Sequence, residues 1–228
     1  MIEPNTFICA DNMEVLREIP DGFCDLCLTD PPYGLNMAKW DVRVPMSVFA
    51  EMFRISQNQI VWGGNYYHLP ITESWLCWNK IHGFSKPPLL SMSDFELAWM
   101  SFSTKPRLIP ISCSGNIING KVDYTYASCH PTQKPVPLFV WCLLNCSKPG
   151  DLIIDPFCGS GTTALACHKT GRRFICIDRE QKYIDIAQQR YKDLTAQQEL
   201  FGADTMESGA QAYNSGRDAM PQQMELGL

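Results

Sequence analysis

Asp151-Leu152-Ile153-Ile154-Asp155-Pro156-Phe157-Cys158-Gly159-Ser160-Gly161-Thr162-Thr163 reads as a buried strand running into a glycine turn, with a helix beginning at Ala164. Glycines at 159 and 161 allow a tight turn and a close approach of ligand to backbone. Downstream, Arg173-Phe174-Ile175-Cys176-Ile177 is a further apolar strand, and it ends in Asp178, near the spacing at which a carboxylate accepts hydrogen bonds from ribose hydroxyls. Strand, glycine turn, helix and strand make an α/β unit, and the acidic end of the second strand points to an adenosine-type ligand. The loop lacks the Gly-Lys-Ser/Thr ending of a phosphate-binding P-loop and the third glycine of the dinucleotide fingerprint.

Toward the N-terminus a second turn carries chemistry. Phe23-Cys24-Asp25-Leu26-Cys27-Leu28 reads as another buried strand, followed by Thr29-Asp30-Pro31-Pro32-Tyr33-Gly34. Two successive prolines fix the backbone and remove two N–H donors, so the carbonyls of Asp30 and Pro31 are held as acceptors beside a carboxylate. With the Tyr33 ring alongside, this is a pocket for a flat ring that bears an amino group. Taken alone, Pro-Pro after a strand is equally well a loop stiffener.

The two motifs agree on a family. Asp30-Pro31-Pro32-Tyr33 resembles the catalytic turn of amino-group methyltransferases that use S-adenosylmethionine, most of which modify an exocyclic nitrogen of a DNA base. Asp155-Pro156-Phe157-x-Gly159-x-Gly161-Thr162 resembles the cofactor loop of the same enzymes. His130-Pro131-Thr132-Gln133-Lys134-Pro135 resembles the segment that precedes that loop in one permuted group. With the catalytic turn ahead of the cofactor loop, the order resembles the beta group of DNA amino-methyltransferases, over roughly Phe7 to Tyr191.

The resemblance implies a Rossmann-like methyltransferase fold: a mostly parallel seven-stranded sheet with helices on both faces, in circularly permuted motif order. It implies S-adenosylmethionine as cofactor across the carboxyl ends of the strands, and flipped duplex DNA as substrate, within a restriction-modification setting. Asp30, Pro31, Pro32 and Tyr33 are then catalytic, with Asp30 and the Pro31 carbonyl accepting from the target amine and Tyr33 stacking on the base. Phe157, Gly159, Ser160, Gly161 and Thr162, with Asp155 before them, line the cofactor loop, and Asp178 holds the ribose. Asp11, beside Asn12 at the end of the strand Thr6 to Ala10, caps the next helix and on the resemblance contacts the cofactor adenine. Lys134 lies, on the resemblance, near the methionine carboxylate, and His130 is structural. An acidic residue at position 30 resembles adenine-N6 members, whereas cytosine-N4 members more often carry serine. Cytosine-N4, RNA or protein-amide methylation and an inactive cofactor-binding recognition subunit are the competing readings.

Composition bounds the rest. The 228 residues suit one catalytic domain, 1–195, with a short target-recognition segment at 103–129 and a mobile tail at 196–228. No apolar stretch is long enough to span a bilayer, and the start, Met1-Ile2-Glu3-Pro4-Asn5, carries no secretory signal, so the expectation is a cytoplasmic protein. The 11 cysteines are scattered through apolar elements and read as reduced core thiols, with no metal site. A net charge of −5 argues against generic, charge-driven nucleic-acid binding, leaving Lys80, Lys86, Lys105, Arg107 and Lys121 as candidates for a local basic face. The short recognition segment implies few base contacts and either a short recognition site or help from a second subunit, as in a homodimer. In the tail, 197–201 (Gln-Gln-Glu-Leu-Phe) and 223–228 (Gln-Met-Glu-Leu-Gly-Leu) resemble the peptides that dock on bacterial sliding clamps.

Overall fold

A computed structural model describes residues 2–35, 41–80, 93–109, 111, 116–118, 121–123 and 133–201. The first half runs β1 (Thr6–Cys9), α1 (Asn12–Glu18), β2 (Cys24–Thr29), α2 (Met46–Ile55), β3 (Ser56–Trp62), β4 (Trp75–Asn79) and β5 (Phe95–Met100). Three short strands follow, β6 (Arg107–Ile109), β7 (Asn116–Ile118) and β8 (Lys121–Asp123). The chain then forms α3 (Val136–Cys146), β9 (Leu152–Asp155), α4 (Thr162–Thr170), β10 (Arg173–Asp178) and α5 (Gln181–Phe201).

The main sheet has the order β1-β10-β9-β2-β3-β5-β4-β6. The five strands from β1 to β3 are mutually parallel, β5 is antiparallel to both β3 and β4, and β6 returns parallel to β4. A parallel sheet is covered on both faces, which is why β2, β9 and β10 are almost continuously apolar rather than alternating. Every residue of β9 is buried, and Leu26, Cys27 and Leu28 in β2 are at most 1% exposed.

Chain direction sorts the helices into layers. Crossovers β1-α1-β2 and β2-α2-β3 step one way along the sheet, while β9-α4-β10 steps the other way. Right-handed crossovers of opposite direction put their helices on opposite faces. In agreement, α1 packs on α2, and α3 packs on α4. The reversal falls between β9 and β2, so this is the topological switch point, where open α/β sheets leave a crevice at the strands' carboxyl ends.

Two expectations change. The sheet has eight strands rather than seven, because β6 adds to β4 from within the segment 103–129. Together with the β7–β8 hairpin it gives that segment three strands of three residues each, too short for a period of two to register in the sequence. The terminal helix also continues past 195: α5 extends to Phe201, so the tail expected from 196 begins as helix. Residues 202–228, including the second clamp-like fragment, lie outside the described residues, as do the side chains of 197–201. By contact density residues 1–191 and 192–228 form separate units. Among the described residues, no helix is long and apolar enough to cross a membrane.

Candidate active site

Parallel pairing places the carboxyl ends of β1, β10, β9, β2 and β3 on one edge of the sheet, and each of the first four is followed by or ends in an aspartate. Asp178 pairs in register with Cys9, two residues before Asp11, and Asp155 pairs with Cys176. Asp30 follows Thr29, the last residue of β2. Across the switch point the Thr29 hydroxyl donates to Asp155 Oδ1 at 2.7 Å, which ties the end of β2 to the end of β9.

Asp155 is 3% exposed and is the anchor of the glycine loop. Its carboxylate accepts from Thr29, from the Thr163 hydroxyl in α4 and from the Phe157 N–H at 3.1 Å. Burial nevertheless pushes the carboxyl up to about 6, against the pull of Thr163, Thr29 and Phe157. The folded state therefore holds this proton more tightly than the unfolded chain does. Stability from this group is full below the unfolded value and is lost as pH rises through about 6. Raising an aspartate from 3.8 to about 6 corresponds to on the order of 3 kcal/mol. Denaturant titrations between pH 4 and 7 are expected to show this slope in the wild type and to show it flattened in Asp155→Asn.

The loop itself is held from three sides. Gly159 N–H donates to Asp178 Oδ2 at 3.0 Å, while Asp178 Oδ1 caps Glu180 N–H at 2.9 Å. The Ser160 hydroxyl donates to Gln133 Oε1 at 2.9 Å, and Arg190 of α5 donates to both the carbonyl and the hydroxyl of Ser160. Gly161 sits at φ +81°, where an added Cβ would lie 2.7 Å from the Cβ of Ala187. At Gly159, by contrast, an added Cβ meets nothing within 4 Å. One glycine serves helix packing, and the other leaves an open backbone face on which a ligand can lie. Asn12 joins this edge through its Nδ2, 3.4 Å from the Pro156 carbonyl, and Asp11 caps α1 by accepting from Met13 N–H at 2.8 Å.

On the other side of the switch point, the Tyr33 hydroxyl donates to Asp30 Oδ1, and Lys134 Nζ lies 2.6 Å from Asp30 Oδ2. Lys134 is only 7% exposed; its ammonium also lies 3.0 Å from Glu96 Oε2 and 3.3 Å from the Tyr33 hydroxyl. Glu96 Oε1 in turn accepts from Lys80 Nζ at 2.9 Å. Burial works against the Lys134 charge, but Asp30 and then Glu96 overcome it and hold the ammonium above the ordinary lysine value. Burial likewise opposes ionisation of Glu96, and Lys134 and Lys80 hold its carboxyl below the usual range. Burial, followed by the charges of Asp30 and Glu96, pushes the Tyr33 phenol well up, so it remains a donor.

The Tyr33 ring stacks on Tyr66 with centroids 4.8 Å apart and planes at 19°. Its seat depends on Gly63, at φ +65°, where a Cβ would fall 2.0 Å from Tyr33 Cε1. Gly63→Ala is expected to cost at least about 2 kcal/mol in denaturant unfolding, since left-handed strain and displacement of the ring add. Tyr67 completes the turn by donating to a carbonyl, that of Pro32 rather than Pro31.

The candidate residues thus fall into two groups that meet through Lys134. Its ammonium holds Asp30, and its carbonyl accepts from the Thr162 hydroxyl at the head of α4, 3.3 Å away. Its charge partners here are Asp30 and Glu96. Glu96, Gly63, Tyr66, Tyr67, Gln133 and Arg190 were not identified from sequence. The available signal for Glu96 was a lone acid within the apolar strand Phe95–Met100. Of the basic candidates, Lys80 is paired with Glu96, while Lys105 and Arg107 are exposed. Lys86, His130, Pro131 and Thr132 lie outside the described residues, as does the Lys121 side chain.

Comparison with known proteins gives the family and the fold. A family model described as DNA methylase, of the N6/N4 type, matches residues 56–189. The Type II methyltransferase M.HinfI of Haemophilus influenzae is 48% identical over 65 residues, 28% of this chain and 18% of that protein, so the match spans under a fifth of its length. Among solved structures, M1.HpyAVI in complex with SAM superposes with a TM-score of 0.59 at 22% identity, covering 81% of this chain and 98% of that one. The PvuII DNA methyltransferase (cytosine-N4-specific) gives 0.58 at 16% identity, covering 86% and 92%. At these identities the two structures establish the fold.

Proposed function

We propose that this chain, which belongs to the N6/N4 DNA methylase family on its match across residues 56–189, transfers a methyl group from S-adenosylmethionine to the exocyclic N6 of an adenine in DNA. The observation that carries the reading is the junction at Lys134, which holds the Asp30 carboxylate with one end and receives the head of the glycine loop's helix with the other. A turn suited to an amine and a loop suited to an adenosine ligand are thereby joined at neighbouring strand ends, which supports the reading.

The residues fit the cofactor. Gly159 offers open backbone, and Asp178 stands at the end of β10, where ribose hydroxyls meet a carboxylate in folds of this kind. When bound, S-adenosylmethionine would supply an electrophilic methyl carbon carried on a sulfonium leaving group. The amine is a poor nucleophile because that lone pair is delocalised into the ring. Asp30, with the Pro31 carbonyl, accepts hydrogen bonds from the amino protons and draws the nitrogen toward a tetrahedral shape. Positioning of this kind is worth roughly 7–11 kcal/mol when the geometry is good. The methylated nitrogen is cationic and releases a proton to Asp30 or to water.

A base inside a duplex cannot reach this turn, so it is flipped, at a cost of a few kcal/mol. Stacking against the Tyr33 and Tyr66 aromatic pair offsets roughly 1–3 kcal/mol of it. Residues 1–195 form the catalytic domain in this reading, and 103–129 form the recognition segment, with Lys105 and Arg107 exposed on it. Adenine is preferred to cytosine because position 30 is acidic. The test is incubation with S-adenosylmethionine labelled in the methyl group and with duplex DNA, single-stranded DNA, RNA and protein acceptors, followed by digestion to nucleosides. Label in N6-methyladenine supports the reading; label in N4-methylcytosine moves the base assignment, and label in RNA or protein alone overturns the substrate.

A further inference from the structure

Asp30 faces a conflict in the geometry described. Its Oδ1 accepts from the Tyr33 hydroxyl and its Oδ2 from the Lys134 ammonium, so an arriving amine competes with both for the carboxylate's lone pairs. A cation 2.6 Å from Asp30 also opposes the positive charge that grows on an attacking nitrogen. Yet Lys134 is buried and cannot swing into water to give up its place. It needs a second anion.

Glu96 is that anion. Its Oε2 is buried and lies 3.0 Å from Lys134 Nζ, an ion pair poorly aligned for a hydrogen bond, so a small movement of the ammonium strengthens the contact. Its other oxygen is fixed by Lys80 at 2.9 Å, which orients the carboxylate toward Lys134. The four groups alternate in sign from Lys80 to Glu96 to Lys134 to Asp30, and they sum to zero charge. A small shift of the ammonium along this row exchanges a hydrogen bond to Asp30 for one to Glu96 without exposing either charge to an apolar surrounding.

We propose that Glu96 is a positioning residue which receives the Lys134 ammonium when a target amine arrives, releasing Asp30 Oδ2 to accept the amino proton. The inference rests on the methyl-transfer reading. It assigns Lys134 two roles in sequence: it holds Asp30 in place before a base arrives, and it withdraws when the base enters.

Glu96→Gln keeps the shape and a hydrogen-bonding oxygen while removing the charge, so Lys134 stays on Asp30. Transfer to DNA from a methylation-deficient host is expected to fall about tenfold or more in kcat, while the Kd for S-adenosylmethionine, read by calorimetry, stays within about twofold of wild type. Glu96→Asp should recover part of the loss. The decisive comparison is Glu96→Gln with Lys134→Gln in one chain, expected to transfer faster than Glu96→Gln alone because the competitor for Asp30 is gone. A purely structural role for Glu96 makes the double variant equal to or worse than the single, and that result, or an unimpaired Glu96→Gln enzyme, overturns the proposal. Should Glu96→Gln fail to fold, Glu96→Asp decides: its longer reach to Lys134 must lower kcat with the cofactor Kd unchanged, and an unchanged kcat overturns it. A wild-type chain that leaves DNA unlabelled overturns the methyl-transfer reading itself, and this inference with it.

Discussion

Asp30→Ala is expected to lower methyl transfer to DNA by on the order of 10³-fold or more while leaving the affinity for S-adenosylmethionine largely intact. The separation follows from where the side chain stands. Asp30 lies beyond the end of β2, and its hydrogen-bond partners are Tyr33 and Lys134, whereas the glycine loop is held by Asp155, Asp178, Gln133 and Arg190. On the proposed mechanism, removing the carboxylate deletes the acceptor that would reshape the amine and the negative charge that would face the developing cation. It leaves the supports of the cofactor loop in place. Asp30→Asn, which can still accept one hydrogen bond, should fall between the two. Single-turnover transfer and calorimetric cofactor titration on the same preparations read the two quantities independently, and loss of both together would show that Asp30 supports the loop rather than the chemistry.

Lys134→Met is expected to cost about 3 kcal/mol of stability, or roughly 6–12 °C in Tm for a chain of this size. Lys134 is 7% exposed and separates two carboxylates that are themselves 19% and 24% exposed. Methionine fills the same volume without the charge, so the loss reports the two anions left facing one another with only Lys80 to compensate. Because neutral carboxyls need no counter-charge, the deficit should shrink as pH falls below the carboxylate range. Denaturant unfolding at pH 7 and pH 4 checks both size and direction. A deficit that persists unchanged at low pH would assign it to packing.

The elements that sequence revealed most clearly are those whose residues serve one purpose. β2, β9 and β10 announce themselves as continuous apolar runs because both faces of a parallel sheet are covered. The glycine loop was legible because two glycines, a preceding strand and a following acid constrain one another. Strands β6, β7 and β8 were not, since three residues carry no readable alternation. Nor was the network around Asp30. Glu96 and Lys134 are 38 positions apart in sequence, and only the pairing of β5 against β3, with Lys134 brought in ahead of α3, makes them neighbours. Gly63 matters because the ring of Tyr33, thirty residues earlier, occupies the space a Cβ would need, a relation that local sequence does not carry.

The account stands on one spatial claim, that the carboxylate at position 30 and the open backbone at Gly159 address the same reacting atoms. A structure of the chain with S-adenosylmethionine bound measures this directly. The account predicts the adenosine end beside Asp178 and Gly159, with the sulfonium methyl turned across the β9–β2 switch point toward Asp30. A ligand seated elsewhere on the sheet edge, or a methyl group directed away from Asp30, would contradict it.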